Sequence, residues 1–134
     1  MEKIVEHMYN GDAFSQWLGI RRLSEGPGEC TLEMTVRDEM VNGFGIAHGG
    51  ITYALADSAL AFASNAHGRK AVSIETSINH LKPVFSNDVL TAMATESSIS
   101  NRIGVYHIRV MRKGEVVALF KGVVYRKDEE WQIS

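Results

Sequence analysis

The segment from residue 41 to residue 68, VNGFGIAHGGITYALADSALAFASNAHG, most constrains what this chain can fold into. Asp57 is its only acidic residue, it has no lysine or arginine, and apolar residues recur at helical spacing from residue 48 to residue 66. A helix of that length spans about 28 Å, long enough to cross a whole sheet. Seven alanines between residues 47 and 66 favour close packing on several sides. We predict a buried central helix whose sheet-facing positions are Ile51, Leu55, Phe62 and Ala66.

Strand-like runs lie on both sides of this helix in the chain. The run at 30–38 alternates apolar and polar residues, which is typical of a half-buried strand. Four further runs, at 71–81, 88–99, 103–112 and 115–127, are joined by short polar or glycine-containing turns. Short connections favour antiparallel neighbours, because parallel pairing needs a crossover of a dozen residues or more. We therefore expect an α+β architecture in which one curved antiparallel sheet, ending in a four-strand meander, wraps one long helix.

The N-terminal region, EHMYNGDAFSQWLGI, is typical of a short helical segment that breaks near Gly11. Asp12 is placed to cap a second helical turn. We expect this segment to pack as a buttress or a lid. The chain has no linker or repeat, and 134 residues with 45% hydrophobic content suit a single domain, residues 1–134.

Net charge and the distribution of polar residues disfavour several classes of partner. Lysine and arginine number 14 against 16 acidic residues, a net charge of -2 with no basic run, so nucleic acid is disfavoured. Residues 48–67 contain too many polar side chains for a membrane span. The opening MEKIVEHMYN lacks the apolar core of a signal peptide, so we expect a cytoplasmic protein without a membrane partner.

We expect no metal site. Cys30 is alone, which excludes an intramolecular disulfide and a multi-cysteine metal site. Four histidines are scattered without metal-ligand spacing, namely His7, His67, His80 and His107.

The residues that carry chemistry lie in and just before the central helix. A carboxylate such as Asp57 is costly to bury unless it is used or paired. At the helix entry, His48, Gly49 and Gly50 leave backbone N–H groups without an intrahelical acceptor, at the positive end of the helix dipole. Such groups stabilise an oxyanion, and the missing side chains admit a bulky acyl group. The alternative is structural, because NGFG is ordinary turn chemistry that needs no ligand.

Nearly the full chain resembles the hotdog-fold acyl-CoA thioesterases of the PaaI-like branch. The similarity is carried by VNGFGIAHGG, LADSALAFASN, LKPVF and GVYHIRVMRKGEVVALFKG, and HGG followed after four residues by LAD is its most specific part. The resemblance implies a hotdog fold and hydrolysis of an aryl, phenylacetyl-like, or medium-chain acyl-CoA. It implies no cofactor, since coenzyme A is part of the substrate.

The resemblance also implies roles for individual residues. Asp57 corresponds to the catalytic carboxylate, acting as base or as nucleophile, and we favour the base. Gly49 provides the amide that polarises the thioester carbonyl. Asn42 is associated with positioning the attacking water or the substrate, and Ser73 lines the site. His48 is interpreted as a hydrogen-bonding residue that fixes the helix start and helps to hold the thioester.

The coenzyme A tail carries phosphates, for which basic side chains at strand boundaries are candidates. These are Lys82, Arg102 and Arg69, and ordinary solvated surface charge explains them equally well. Two other functions stay open. A non-catalytic acyl-CoA binding or sensing module would keep the pocket and lose the carboxylate. A hydratase or dehydratase of the same fold would require a catalytic histidine, and no proline-rich HFP-type neighbourhood surrounds His48.

The last strands and the helix both predict self-association. The runs VVALF and GVV are apolar on both faces, which favours a homodimer or homotetramer in which another copy covers them. Gly49 and Asp57 lie roughly 12 Å apart along a helix axis, so one thioester carbon cannot contact both within one chain. We predict a composite site with Gly49 from one subunit and Asp57 from its partner.

Overall fold

A computed structural model describes residues 2–133, which form one antiparallel sheet around a long helix, as predicted. Within this range the sheet has six strands in the spatial order β1-β2-β4-β5-β6-β3. Three α-helices and a short 3-10 turn complete this part of the chain. The helices are α1 (Glu2–Asn10), α2 (Ala13–Leu18) and α3 (Gly49–Asn65). The strands are β1 (Arg21–Gly26), β2 (Glu29–Thr35), β3 (Arg69–His80), β4 (Val89–Ile99), β5 (Ile103–Arg112) and β6 (Glu115–Glu130).

Helix α3 is the predicted central helix. His48 is its N-cap, and the His48 imidazole Nδ1 accepts the N–H of Gly50 at 3.0 Å. Three of the four predicted sheet-facing residues are fully buried and Ile51 is half-buried. Among residues 2–133 no helix has the length and apolar character that a membrane crossing requires.

The N-terminal segment is helical and breaks where the sequence predicts. The Asp12 carboxylate caps α2 by accepting the backbone N–H of Ser15 at 2.9 Å. Gly19 ends α2 in the left-handed region with φ of 73°, a conformation that favours glycine. Leu18 is fully buried and α2 packs on α3, so this segment is the expected buttress.

Two features of the sheet differ from the prediction. The sequence pattern does not predict strand β1, because an edge strand with a bulge between Arg22 and Ser24 carries no alternation. The last four strands do not form a simple meander, since β3 pairs with β6 and not with β4. The segment 81–88 instead carries the chain across the end of the sheet to β4, where β2 is the other neighbour. Strand order depends on such distant pairings, which connection length alone does not specify.

Strand β3 therefore forms one edge of the sheet. Its 12 residues pair with β6 on one side only, and the other side has no partner within residues 2–133. Val72 and Ile74 on this strand are 45% and 59% exposed. A long edge with exposed apolar side chains is a surface suited to pairing with another strand.

Candidate active site

A tight turn positions the start of α3. The Asn42 side-chain Oδ1 accepts the N–H of Phe44 at 2.9 Å, and the Asn42 backbone N–H donates to the Ile46 carbonyl at 2.7 Å. Gly45 has φ of 82°, which explains the glycine at this position. The turn brings Asn42 beside Gly49 at the wall of one cavity.

We call this space of about 340 Å³ the glycine cavity; its lining includes Asn42, Gly49, Thr52, His80, Lys82 and Val84. Gly49 is the first residue of α3, and its N–H has no acceptor among residues 2–133. The positive end of the α3 dipole lies at the same point. The cavity therefore offers a backbone donor to a ligand oxygen.

His48 and Gly50 lie beside the glycine cavity but do not line it. Because the His48 Nδ1 accepts the Gly50 N–H, that nitrogen carries no hydrogen and the ring serves as a helix cap. At the start of α3, His48 thus satisfies the backbone N–H of Gly50, and the backbone N–H of Gly49 is left for a ligand.

Asp57 lies about two turns further along α3 and lines two other cavities. The first, of about 250 Å³, also contains Ser73, Ala71 and Val124, and we call it the aspartate cavity. The second, of about 380 Å³, brings Asp57 together with Asp12 at the capped end of α2. Burial, followed by the nearby negative charge of Asp12, raises the pKa of Asp57 above its ordinary value.

A chain of hydrogen bonds joins the second cavity to α2. The Ser15 hydroxyl donates to Asp12 Oδ2 at 2.7 Å and lies 2.8 Å from the Ser58 hydroxyl. A hydroxyl has a single hydrogen, so Ser58 is the donor in the second contact. Ser15 is 1% exposed, which places this polar chain inside the packing between α2 and α3.

The predicted catalytic pair is not brought together within one chain. Gly49 lines the glycine cavity and Asp57 lines the two others, and no cavity described among residues 2–133 contains both. Gly50 does share a cavity with Asp57, and Ser73 shares the aspartate cavity with it. Asn42 stays with Gly49.

The three basic residues occupy two separate places. Lys82 lines the glycine cavity, and its Nζ lies 3.0 Å from Glu115 Oε2. Arg69 is at the opposite end of β3, where its guanidinium donates to backbone carbonyls such as that of Asn101 at 2.7 Å. Arg102 forms an ion pair with Asp128 at 2.7 Å. In the part of the chain that the structure describes, neither arginine lines a cavity containing Gly49 or Asp57.

Sequence reasoning missed His80 and the cavity role of Asp12. A Cβ at position 49 would lie 3.1 Å from the His80 Nε2, so the imidazole lies directly against Gly49. The sequence indicates Asp12 as a cap only. Both contacts join elements that are distant in sequence, and no local pattern indicates them.

Comparison with known proteins defines the class. Residues 44–119 match the thioesterase superfamily, which is more than half of the chain. The chain belongs to this superfamily. The predicted hotdog fold and the class of enzyme, a thioester hydrolase, are thereby confirmed.

Individual relatives identify the branch. Acyl-coenzyme A thioesterase PaaI of Escherichia coli is 39% identical over 120 residues, covering 89% of this chain and 86% of that protein. The solved E. coli PaaI protein from the phenylacetic acid degradation operon superposes with a TM-score of 0.93 at 36% identity, covering 96% of this chain and 94% of the other. A Streptococcus mutans protein solved with acetyl-CoA has a TM-score of 0.80 over 84% of this chain and 91% of its own. Its 24% identity shows the common fold alone. The predicted PaaI-like resemblance is confirmed.

Proposed function

We propose that this protein hydrolyses an aryl, phenylacetyl-like, or medium-chain acyl-CoA to the free acid and coenzyme A. The observation that carries the proposal is the unpaired N–H of Gly49 at the start of a helix whose only carboxylate is Asp57. An oxyanion donor and a carboxylate are what hydrolysis of a thioester requires. The similarity to E. coli acyl-coenzyme A thioesterase PaaI supports the substrate class.

The reaction needs no group beyond water. The Gly49 N–H polarises the thioester carbonyl, and the Asp57 carboxylate removes a proton from water as the oxygen attacks the carbonyl carbon. The tetrahedral intermediate then expels the coenzyme A thiolate by breaking the C–S bond. The proton held by Asp57 passes to the thiolate, and the carboxylic acid releases its own proton to solvent water and leaves as the carboxylate. A thiolate leaves without a strong general acid because the thiol pKa is only about 8.5.

The environment of Asp57 favours its use as a base. A carboxylate whose pKa is raised by burial and by Asp12 is more basic than one in water, and general-base catalysis improves as the pKa approaches the working pH. Ser73 lies in the same cavity, where its hydroxyl is available to a water or to substrate.

We infer that each site combines two subunits. Antiparallel pairing of the free β3 edges about a two-fold axis sets the His80 end of one strand beside the Arg69 end of the other. The glycine cavity contains His80, and the aspartate cavity contains Ala71 and Ser73 near the Arg69 end. The pairing thus brings Gly49 toward Asp57 of the partner subunit. A homotetramer would add a second interface that covers the remaining apolar faces.

The same pairing suggests where coenzyme A lies. Lys82 at the glycine cavity and Arg69 of the partner subunit fall at the two margins of one composite site. Both guanidinium and ammonium groups bind phosphate, so we propose these two residues, together with Arg102 beside Arg69, for the phosphates of the substrate.

A panel of acyl-CoAs with a thiol-detecting reagent tests the proposal. We expect release of coenzyme A from phenylacetyl-CoA or octanoyl-CoA. We expect no addition of water to the double bond of crotonyl-CoA. Saturable binding without thiol release would instead support a binding module. Addition of water to the double bond of crotonyl-CoA would support a hydratase.

A further inference from the structure

The glycine cavity contains a second polar group directly beside Gly49, the imidazole of His80. This residue ends β3, and pairing of β3 with β6 sets His80 opposite Ala118. Its ring is exposed and neither nitrogen has a hydrogen-bond partner among residues 2–133. An unpaired imidazole on the wall of a substrate cavity is available to a ligand.

The distance between the two donors suits a single oxygen. The His80 Nε2 lies 3.1 Å from the Cβ position of Gly49. A Cβ lies roughly 2.5 Å from its own backbone nitrogen, so the two nitrogens are at most about 5.6 Å apart. One oxygen that accepts from two N–H groups bridges nitrogens up to about 5.8 Å apart.

We propose that the His80 imidazole donates a second hydrogen bond, beside that of the Gly49 N–H, to the thioester carbonyl oxygen. The proposal rests on the proposed thioesterase function and adds a catalytic residue to it. Nε2 carries a hydrogen both in one neutral tautomer and in the protonated ring, and no acceptor within residues 2–133 competes for it. The two donors meet the charge that develops on the oxygen as water attacks.

The contact also accounts for the absence of a side chain at position 49. A Cβ there would press on the ring at 3.1 Å and displace it. Glycine lets the imidazole approach the helix start, so both donors face the same small volume. A Cβ at Gly50 would meet a different imidazole, that of the helix cap His48, with Nδ1 at 3.2 Å.

Two substitutions at position 80 separate donation from packing. His80→Phe keeps an aromatic ring of similar size without a donor, and His80→Gln places an amide N–H near the former Nε2. With phenylacetyl-CoA we expect His80→Phe to lower kcat at least about 10-fold with little change in KM, because a donor used mainly in the transition state is lost. His80→Gln should recover most of that kcat.

The matched controls are His107→Phe and His107→Gln. His107 is also an exposed strand histidine, it bonds Ser97 at 2.5 Å, and it lines none of the cavities described for residues 2–133. Both controls should keep kcat within about twofold. Thermal unfolding of all four variants checks that the fold is retained.

Equal losses in His80→Phe and His80→Gln would overturn the proposal, as would a rise in KM with kcat unchanged. A measurement that does not depend on turnover is the Raman frequency of the carbonyl stretch of phenylacetyl-CoA bound to Asp57→Asn. We expect a shift to lower frequency than in water, and a smaller shift when His80→Phe is added. An equal shift in Asp57→Asn and in Asp57→Asn/His80→Phe would contradict the role of His80 alone. Failure of the unaltered protein to release coenzyme A from any acyl-CoA of the panel contradicts the proposed function, whereas rapid hydrolysis by Asp57→Asn contradicts only the role of Asp57 as the base.

Discussion

The two ends of α3 differ in how completely their polar groups are paired. At the C-terminal end, the buried Asn65 side chain makes four hydrogen bonds: to and from Ala71, to the Ala61 carbonyl and from the Trp131 indole. At the N-terminal end, the Gly49 N–H and the His80 ring have no partner among residues 2–133. One end anchors the helix to the sheet, and the other leaves its polar groups for a ligand.

A related contrast holds for two carboxylates, Glu96, which bonds His67 just after α3, and Asp57, which lies midway along α3. Although burial acts to raise it, hydrogen bonds from Tyr106 at 2.7 Å and His67 at 2.6 Å hold the pKa of Glu96 below its ordinary value. No such donor from the described part of the chain reaches Asp57, whose pKa is raised. A paired carboxylate stabilises the fold, and an unpaired one keeps its basicity for chemistry.

Removal of the Asp57 charge should have the largest effect. Asp57→Asn keeps the size of the side chain and removes its basicity, so we expect kcat to fall about 100-fold or more with a modest change in KM. Steady-state assays with the best substrate of the panel measure both. Glu129→Gln, which neutralises an exposed carboxylate on β6, is the matched control. Near-normal turnover by Asp57→Asn would make Asp57 a structural residue.

Mixing two inactive variants tests whether Gly49 of one subunit and Asp57 of the partner subunit form one site. Gly49→Pro deletes the amide hydrogen at the first helical position, where proline is accepted, and His48 already has an extended backbone with ψ of 135°. In an equal mixture with Asp57→Asn, half the dimers are mixed and half their sites are intact. Roughly a quarter of the normal activity should return.

The control for this mixture is Asp57→Asn with the double variant Asp57→Asn/Gly49→Pro, which contains no intact site in any pairing. Co-expression followed by native mass spectrometry establishes that mixed dimers are present. If mixed dimers form and activity stays at the background, the site lies within one chain. A monomer by light scattering at micromolar concentration would also contradict the shared site.

The anchoring end should respond in stability and not in rate. Asn65→Ala removes four hydrogen bonds and leaves buried partners unpaired, so we expect a loss of about 2 to 4 kcal/mol in the free energy of unfolding. Urea titration measures it, and kcat at low temperature should change little. Asn10→Ala, at the exposed end of α1, should cost less than about 0.5 kcal/mol. A large loss of kcat with unchanged stability would remove the contrast between the two ends.

The smallest expected effect concerns Asp12. As a base, Asp57 must be ionised, so kcat/KM rises with pH through the pKa of Asp57. Asp12→Asn removes the second cause that raises this pKa, so the acid limb of the pH profile should move to lower pH. The control is Ser58→Ala, which keeps the charges of Asp12 and Asp57. It should lower thermal stability without moving the acid limb of the pH profile. An acid limb displaced to higher pH in Asp12→Asn would show that Asp12 does not raise the pKa of Asp57.

Local sequence patterns are enough to predict α3 and its cap. Helical periodicity, alanine content and a run of glycines are properties of one continuous segment, so α3 can be predicted almost to the residue. Strand β1 cannot, because its edge position leaves it without alternation. The pairing of β3 with β6 joins residues about fifty apart, which no window of sequence reports.

The candidate site divides in the same way. Gly49 and Asp57 lie on one helix, where their types and spacing alone indicate a donor and a carboxylate too far apart for one chain. His80 meets Gly49 only because β3 ends beside the start of α3. Asp12 reaches the cavity of Asp57 only through the packing of α2 on α3, where the hydroxyls of Ser15 and Ser58 are in contact.

The free edge of β3 makes a newly synthesised chain prone to aggregation until that edge is paired. A 12-residue edge with exposed Val72 and Ile74 is a template on which any extended chain can add. In the proposed dimer, two identical β3 edges pair with each other and close this template for both chains at once. Dilution should then both reduce the specific activity and promote aggregation, so the concentration of the protein itself becomes a condition for its function and its persistence in the cell.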